Sequence, residues 1–583
     1  MYRTLLGIVA AFVLALLVVG LTFSSAAEAP ADYTFINGTE PKSLDPALIT
    51  GQPEGRIADA IFEGLTRRNT KSLRPEPGVA ESWEVSADRR TWTFHLRANA
   101  VWTDGKPVTA HDFAWSWRRM QEPELGAEYA YLLHVVKLAE AFNLYKSNVS
   151  ALVGPRGDKK ESLAEGVAKI RAGWAEAASP ETPGIEAGAW QAFLARHKAQ
   201  EHLKGCPDRV VDEALARASG SLDAAALAAF EEAVRREAKR RLAVHEEAVK
   251  HFGIDRGAYA KDDRTFVVEL GAPTPYFLEL TCFYPSYAAP RQVVRPVDTG
   301  NILKDEVRDW FLPEKIVSNG PFRLADWRVN HRIRMVKSDS YWARERVKLG
   351  VVDALPVENV STSLNLYLRG QVDWLPSNYP LDLVRDLKKR PDYYANPGTV
   401  VYFYRFNCTK KPFDDKRVRQ AVCLALDRHT IVEHLTSKGD PIALSMVPPG
   451  IPGYEPPPSS IATDLPRAKA LLAEAGYPNG NGFPPVSILY NTQEGHKRIA
   501  EFIADRLQRD LGIGVLAKNQ EWQAYQDNMR LLKYDMARAG WIADYPDPNT
   551  FLDMWITNGG NNQTGWSNAF YDRRARRCIG ASR

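Results

Sequence analysis

The sequence predicts an α/β protein of more than one unit, and three observations carry that expectation. Past residue 397, strand and helix patterns follow one another in turn. Between residues 80 and 97, alternating apolar residues flank a polar turn, as in a β-hairpin. Between about residues 145 and 257 the chain is rich in Ala, Glu and Arg, with almost no strand signal, as in a helical insertion.

A length of 583 residues fits about four domain-sized units. With 45% hydrophobic and 25% charged residues, neither a disordered chain nor a polytopic membrane protein is expected. Lys and Arg number 75 against 71 Asp and Glu, so nothing suggests a nucleic-acid partner. The 15 Trp, 23 Tyr and 22 Phe are core residues by default, and they also suit a cleft that takes varied organic ligands.

At the amino end Arg3 precedes an apolar run over residues 5–21, followed by small residues through Ala29. This describes a secretory signal with cleavage near Ala27 or Ala29. The run is also just long enough to span a bilayer, so a retained inner-membrane anchor is the alternative. No Cys lies near the cleavage site to carry a lipid, and in either case the chain after Pro30 is expected to be exported. Cys206, Cys282, Cys408, Cys423 and Cys578 are too few and scattered for a disulfide framework or a metal site. Buried free thiols are expected, with a Cys408–Cys423 bridge as the alternative in an oxidising compartment.

Trp83 and Val85, then Trp92, Phe94 and Leu96, alternate around residues 86–89 and form the hairpin. Asp104 and Gly105 make the next turn. Thr109 and Asp112 form a capping box for a helix running to about Met120. In the Ala-rich stretch, Leu227, Phe230, Val234, Leu242, Val249 and Phe252 lie on or near one helical stripe. Glu231–Arg235, Glu232–Arg236 and Glu237–Arg241 support it at i,i+4 spacing. A solvated helical decoration is favoured there over a partner-binding module.

Strands are expected at residues 265–270 and across 322–337, where Ile333 and Met335 alternate with Arg332, Arg334 and Lys337, leaving one face solvated. Further strands are expected at 401–406, 486–490, 513–517 and 534–539, the last ending at Gly540. Helices are expected around Ile499 to Leu511, stopped by Gly512, and over 521–532. Ligands of such units sit beyond the carboxyl ends of the strands, which points at Trp541 and Asp544.

No Gly-x-Ser-x-Gly, phosphate loop or Cys-x-x-Cys is present. His245 and His251 resemble a zinc-protease helix. Six residues apart, they diverge by roughly 120° around a helix, so a charged surface is the better reading. Asp544, between Trp541 and Tyr545 and before Pro546-Asp547-Pro548, has two readings. It caps the turn, or it is held among aromatics to receive a cation, because a semi-buried carboxylate is costly unless paired.

The segment Asn37-Gly38-Thr39-Glu40-Pro41-Lys42-Ser43-Leu44-Asp45-Pro46, then Ile61-Phe62-Glu63-Gly64-Leu65, resembles the start of the peptide-type solute-binding proteins of ABC importers, the oligopeptide- and dipeptide-binding family. Residues 79–83, 91–97, 102–113, 318–322, 412–421 and 519–522 resemble the same family in the same order. So does Ala537-Arg538-Ala539-Gly540-Trp541-Ile542-Ala543-Asp544-Tyr545. Together these cover most of the chain outside the insertion.

The resemblance implies a bilobal periplasmic-binding-protein-like fold of the large, three-subdomain type, with an extra helical insertion. It implies an extended short peptide held between the lobes by backbone hydrogen bonds and delivered to ABC permease subunits. The family's ammonium-binding carboxylate falls on Asp544, beside Trp541, its cleft Glu on Glu40, and its Trp and Arg positions on Trp522 and Arg538. Tyr129 or Tyr131 lines the cleft from the other lobe in this reading, and Asn407 is a hinge-side candidate. Residues 30–58 would begin lobe I, and 59–270 would form a subdomain carrying the insertion at about 146–256. Residues 271–395 would be the second segment of lobe I, and 396–583 lobe II.

The insertion is unusual for the family. The family also continues past the point where this chain reaches Arg583, so a fragment, a frameshift product or a shortened pseudogene-like copy is expected. No cofactor, metal or enzymatic activity is expected, since no nucleophile–base pair stands out. Membrane contact would come through the permease or a retained anchor. Alternatives are a receptor for another small solute (a glutathione-like compound, a cell-wall peptide, a sugar or a nickel chelate), an exported hydrolase, or an interaction module working through the insertion.

Overall fold

The computed structural model describes residues 29–144, 240, 243–299, 302–377, 379–451, 454–458, 461–557, 559–568, 570–572 and 574–575. The amino-terminal apolar run, most of the Ala-rich stretch with its i,i+4 pairs, Cys206 and Cys578 lie outside them. Among the described residues, no helix is long and apolar enough to cross a membrane.

The chain opens with β1 (Tyr33–Ile36), α1 (Gln52–Ile61), β2 (Thr66–Arg68), β3 (Pro75–Pro77), β4 (Ala80–Val85), β5 (Thr91–Leu96) and α2 (Ala110–Met120). A 3-10 turn at Ala130–Val135 follows. Then come β6 (Ala258–Asp262), β7 (Thr265–Glu269), β8 (Phe322–Arg328), β9 (Arg332–Lys337), β10 (Val351–Leu355) and α3 (Val360–Leu368). The last third holds β11 (Val400–Phe406), α4 (Lys416–Ala425), α5 (Leu465–Glu474), β12 (Val486–Asn491) and α6 (Glu494–Leu511). It ends with β13 (Val515–Gln520), α7 (Trp522–Arg530), β14 (Met536–Ile542) and the single turn α8 (Asn549–Leu552).

Three four-stranded sheets organise these elements, in the orders β1-β10-β9-β8, β4-β5-β7-β6 and β11-β14-β12-β13. In the first, β1 runs parallel to β10, tying the amino-terminal segment to strands some three hundred residues later. Ile333 and Met335 point into the core, but the opposite face is not solvated as the alternation suggested. Arg334 donates to both oxygens of Asp353 at 2.8 and 2.7 Å, and Arg332 to Asp326 at 2.8 Å. Paired charges can cover a sheet face where unpaired ones could not.

The hairpin forms as patterned, with Trp83 opposite Phe94 and Val85 opposite Trp92. The helix from Ala110 to Met120 also forms where expected. At its start the capping box closes as expected: the Asp112 carboxylate accepts from the Thr109 amide at 2.7 Å, and the Thr109 side chain accepts from the Asp112 amide. The helix that closes the Ala-rich stretch buries Ala248 and Phe252 but leaves Val249 44% exposed, so Val249 leaves the expected stripe.

In the third sheet, α6 buries Ile499, Ile503, Leu507 and Leu511 on one face, each worth roughly 1.5–3 kcal/mol when fully buried. Gly512 ends it at φ +71°. Strand β14 runs past the expected stop: Gly540 pairs with Tyr402 and Ile542 with Val400, so the antiparallel ladder to β11 carries the glycine. Strand β13 likewise starts and ends later than its apolar run suggested.

Two main cores result. One spans the first two sheets and takes in Val401, Trp541, Tyr545, Phe551 and Met554 from the last third. The other, with Val418, Val422, Ile488, Ile503 and Leu507, belongs to the last third alone. The molecule is thus mixed α/β and bilobal, with the carboxyl end of β14 pressed into the seam. Cys282, Cys408 and Cys423 are free, so the Cys408–Cys423 bridge is absent.

Candidate functional site

Beyond Ile542 the chain leaves the sheet, and the loop turns at Pro546-Asp547-Pro548 into α8. Asp547, not Asp544, caps that turn: its Oδ1 accepts the Asn549 amide at 2.8 Å. Thr550 Oγ1 accepts from the Asp544 amide at 3.1 Å and from the Trp541 indole at 3.4 Å, fixing both residues. The Asp544 side chain is left facing the other lobe, only 7% exposed.

That facing wall is aromatic. Tyr129, at the start of the 3-10 turn, reaches Asp544 Oδ1 with its hydroxyl at 3.4 Å. Its ring lies 6.3 Å from Trp541, 6.1 Å from Tyr131, 5.4 Å from Phe283 and 6.4 Å from Tyr284. Tyr276 stacks on Tyr545 at 4.4 Å and 11°. Tyr131 accepts from Asn561 at 3.1 Å, and the Arg68 guanidinium donates to the Asp544 carbonyl. Tyr129, Tyr131, Trp541 and Asp544 therefore meet in one place.

The electrostatics there are unusual. Burial pushes the Asp544 carboxyl well above the ordinary range, the neighbouring Asp553 pushes it further, and Arg68 and Tyr129 oppose this. Burial also raises Asp553 to about 7, with the Tyr545 hydroxyl at 2.9 Å opposing. Asp544 Oδ2 and Asp553 Oδ1 are buried with no hydrogen-bond partner. The surrounding Tyr hydroxyls are pushed up by burial and by these acids, so they remain donors.

A second, basic cluster lies earlier on β14. Arg538 sits 4.9 Å over the Tyr402 ring and donates to Asn491 at 3.3 Å, while its buried Nε has no partner. His496, at the start of α6, lies 3.2 Å from the Tyr402 hydroxyl. Burial, then the charges of Arg538 and Lys438, keep this imidazole neutral to well below its usual value. Between the lobes, Trp522 donates to Glu54 at 3.4 Å and stacks on Tyr525.

Two expected residues are engaged elsewhere. Glu40 accepts from the Trp327 indole and, at 2.9 Å, from the Asn330 amide, both on the β8–β9 hairpin. Asn407 is 1% exposed and spends its amide on the Leu532 and Tyr534 carbonyls and its oxygen on Thr409. Both tie together segments far apart in the sequence. His245 faces the Ala141 carbonyl at 3.1 Å and His251 faces Asp255 at 2.8 Å, so they share no ligand. Among the described residues no cluster of three or more ligating side chains could hold a metal.

The sequence reading missed Asp553, Asn549, Arg68, Tyr276 and His496. A usable signal existed for two of them: Asn549 and Asp553 are four apart and one turn past Asp544, so a helical start there places both on one side.

A family model described as bacterial extracellular solute-binding proteins, family 5, matches residues 74–187 and 208–563. The periplasmic oligopeptide-binding protein OppA of Salmonella typhimurium is 31% identical over 544 residues, 92% of this chain and 79% of that protein. A crystal structure of Haemophilus influenzae OppA in complex with RPPGFSPFR superposes with a TM-score of 0.69 at 28% identity, covering 95% of this chain and 89% of that one. A periplasmic oligopeptide-binding protein from Borrelia burgdorferi gives a TM-score of 0.71 at 26% identity, covering 95% and 88%. The chain belongs to the family 5 extracellular solute-binding proteins.

Proposed function

We propose that this solute-binding protein captures short peptides between its lobes, outside the cytoplasmic membrane, and hands them to the permease subunits of an ABC importer. The observation that carries this reading is Asp544: a carboxylate at the lobe seam, 7% exposed, with one oxygen lacking any partner. Such a group is costly unless a cation reaches it. A peptide's terminal ammonium is a cation that every unblocked peptide carries. Arg538, whose Nε is unpartnered, offers the complementary charge for a terminal carboxylate. Both constant ends of a peptide are then met, and its side chains are left to the aromatic wall.

Closure supplies the signal for delivery. Bonds that cross the seam (Tyr129–Asp544, Arg68–Asp544, Tyr131–Asn561, Tyr276–Asn549, Glu54–Trp522 and the Lys42–Asp527 ion pair at 3.0 Å) exist only when the lobes meet. A ligand touching both lobes binds the closed state better and shifts the population toward it. The work is binding alone; a peptide should be recovered uncleaved after incubation.

The same reading divides the chain into a first lobe from residues 30–58 and 271–395, a subdomain over 59–270, and a second lobe from 396 onward. Residues 1–29 would export or anchor it. The test is calorimetry with Asp544→Asn. Affinity for free-amine peptides should fall by about 2–5 kcal/mol, the cost of leaving one side of a buried charge pair unmet. Acetylated peptides should lose far less. Equal losses would reduce Asp544 to a structural group.

A further inference from the structure

The loop after β14 holds more unmet hydrogen-bond acceptors than one ammonium's charge would require. Asp544 Oδ2, Asn549 Oδ1 and Asp553 Oδ1 are all buried without a partner, in residues 7%, 5% and 5% exposed. The donors of this segment are already spent. The Asn549 amide serves Tyr276, Tyr545 and Asp553 at 3.2, 3.1 and 3.3 Å, and the Tyr545 hydroxyl serves Asp553 at 2.9 Å. The Arg68 guanidinium donates to the Asp544 carbonyl. Among the described residues, no Lys, Arg or His forms an ion pair with Asp553. Two acids therefore meet at the seam, Arg68 acting on Asp544 and, among the described residues, no cation paired to Asp553.

We infer that Asp553 is a specificity-determining residue that selects peptides whose first residue carries a basic side chain, so that the amino end of the ligand presents two cations to Asp544 and Asp553. The terminal ammonium meets Asp544, and the side-chain ammonium or guanidinium meets Asp553 and the Asn549 oxygen. A terminal ammonium alone would leave Asp553 without a cation, and a basic side chain beside it supplies one. The stacked Tyr276 and Tyr545 rings and Tyr131 flank the acids, and aromatic faces favour a cation over a neutral polar group. The Tyr131 ring lies 6.1 Å from that of Tyr129, whose hydroxyl reaches Asp544. This inference rests on the peptide reading above.

The test uses the full chain and tetrapeptides identical except at the first residue: lysine, Nε-acetyl-lysine, norleucine or alanine, all with free amino termini. Calorimetry should show the lysine peptide binding about tenfold or more tighter than the other three, as expected for a desolvated charge pair. In Asp553→Asn the four affinities should converge, while the dependence on a free amino terminus persists. Equal wild-type affinity for lysine and acetyl-lysine would overturn the inference, and this comparison needs no variant to fold. So would an unchanged lysine preference in Asp553→Asn. Failure of all four peptides to bind would instead defeat the peptide reading itself, so the two failures are distinguishable.

Discussion

Two groups of buried charges in this molecule are built on opposite plans. In the first lobe, Arg119 forks onto Asp45 at 3.0 and 2.6 Å and onto Glu306 at 2.7 and 2.9 Å. Arg295 forks onto Glu122 and shares Glu306, and the Trp310 indole closes on Asp45 at 3.1 Å. Each carboxylate there has a guanidinium. At the lobe seam, Asp544 and Asp553 are also buried, but Arg68 reaches only the Asp544 backbone carbonyl, and among the described residues no guanidinium forks onto either carboxyl. Burial makes an unpaired charge expensive wherever it lies. The first group answers that cost within the fold. The second does not, and in the proposed reading a ligand answers it. The completeness of their pairing, not their depth, separates the two groups.

The sharpest way to break this contrast is to unpair the first group. Arg119→Ala strands Asp45 in the core and leaves Glu306 to Arg295 alone, and denaturant unfolding should show a loss of about 3–5 kcal/mol. A loss below about 1 kcal/mol would mean that the network is no more than decoration. The opposite change is expected at the seam. Asp544→Asn removes a charge that the ligand-free protein does not pair, so ligand-free stability should hold or rise, by about 1 kcal/mol at most.

A smaller, pH-dependent effect sharpens the comparison. Asp544 and Asp553 are raised in the fold, Asp553 to about 7, above the ordinary carboxylate value of about 4. The native state then holds more protons than the unfolded one. The stability these acids contribute to the closed form is fully present below about pH 4 and is lost as pH climbs toward 7. Asp59, raised to about 6, acts in the same direction, so the difference between wild type and the Asp544→Asn, Asp553→Asn double variant isolates the pair. Affinity for amine-bearing peptides should run the other way and rise through the same window.

Much of the fold could be read from the sequence because it follows local periodicity. The Trp83–Phe94 hairpin, the helix opened by Thr109 and Asp112, and the Ile499 to Leu511 face stopped by Gly512 all depend on residues close in sequence. Misplaced features depend on distant partners. Gly540 continues its strand because Tyr402 lies opposite, and Arg332 and Arg334 are covered because Asp326 and Asp353 meet them.

The site divides in the same way. Asp544 and Trp541 were found from a strand end, and the expected tyrosines Tyr129 and Tyr131 stand opposite them. Glu40 and Asn407 matched a pattern, and in the fold they bond to distant segments, Glu40 to Trp327 and Asn330 and Asn407 to Leu532 and Tyr534. Arg68 and Tyr276 could not have been found by spacing, since only the closure of two lobes carries them to Asp544 and Asn549.

The most direct test is the ionisation of Asp544 itself, followed by carboxyl carbon NMR with and without ligand. With a free-amine peptide bound, its pKa should lie below the ordinary carboxylate range, and with an acetylated peptide bound, where the lobes close over an unmet acid, well above it. The same Asp544 pKa with both peptides would contradict the account.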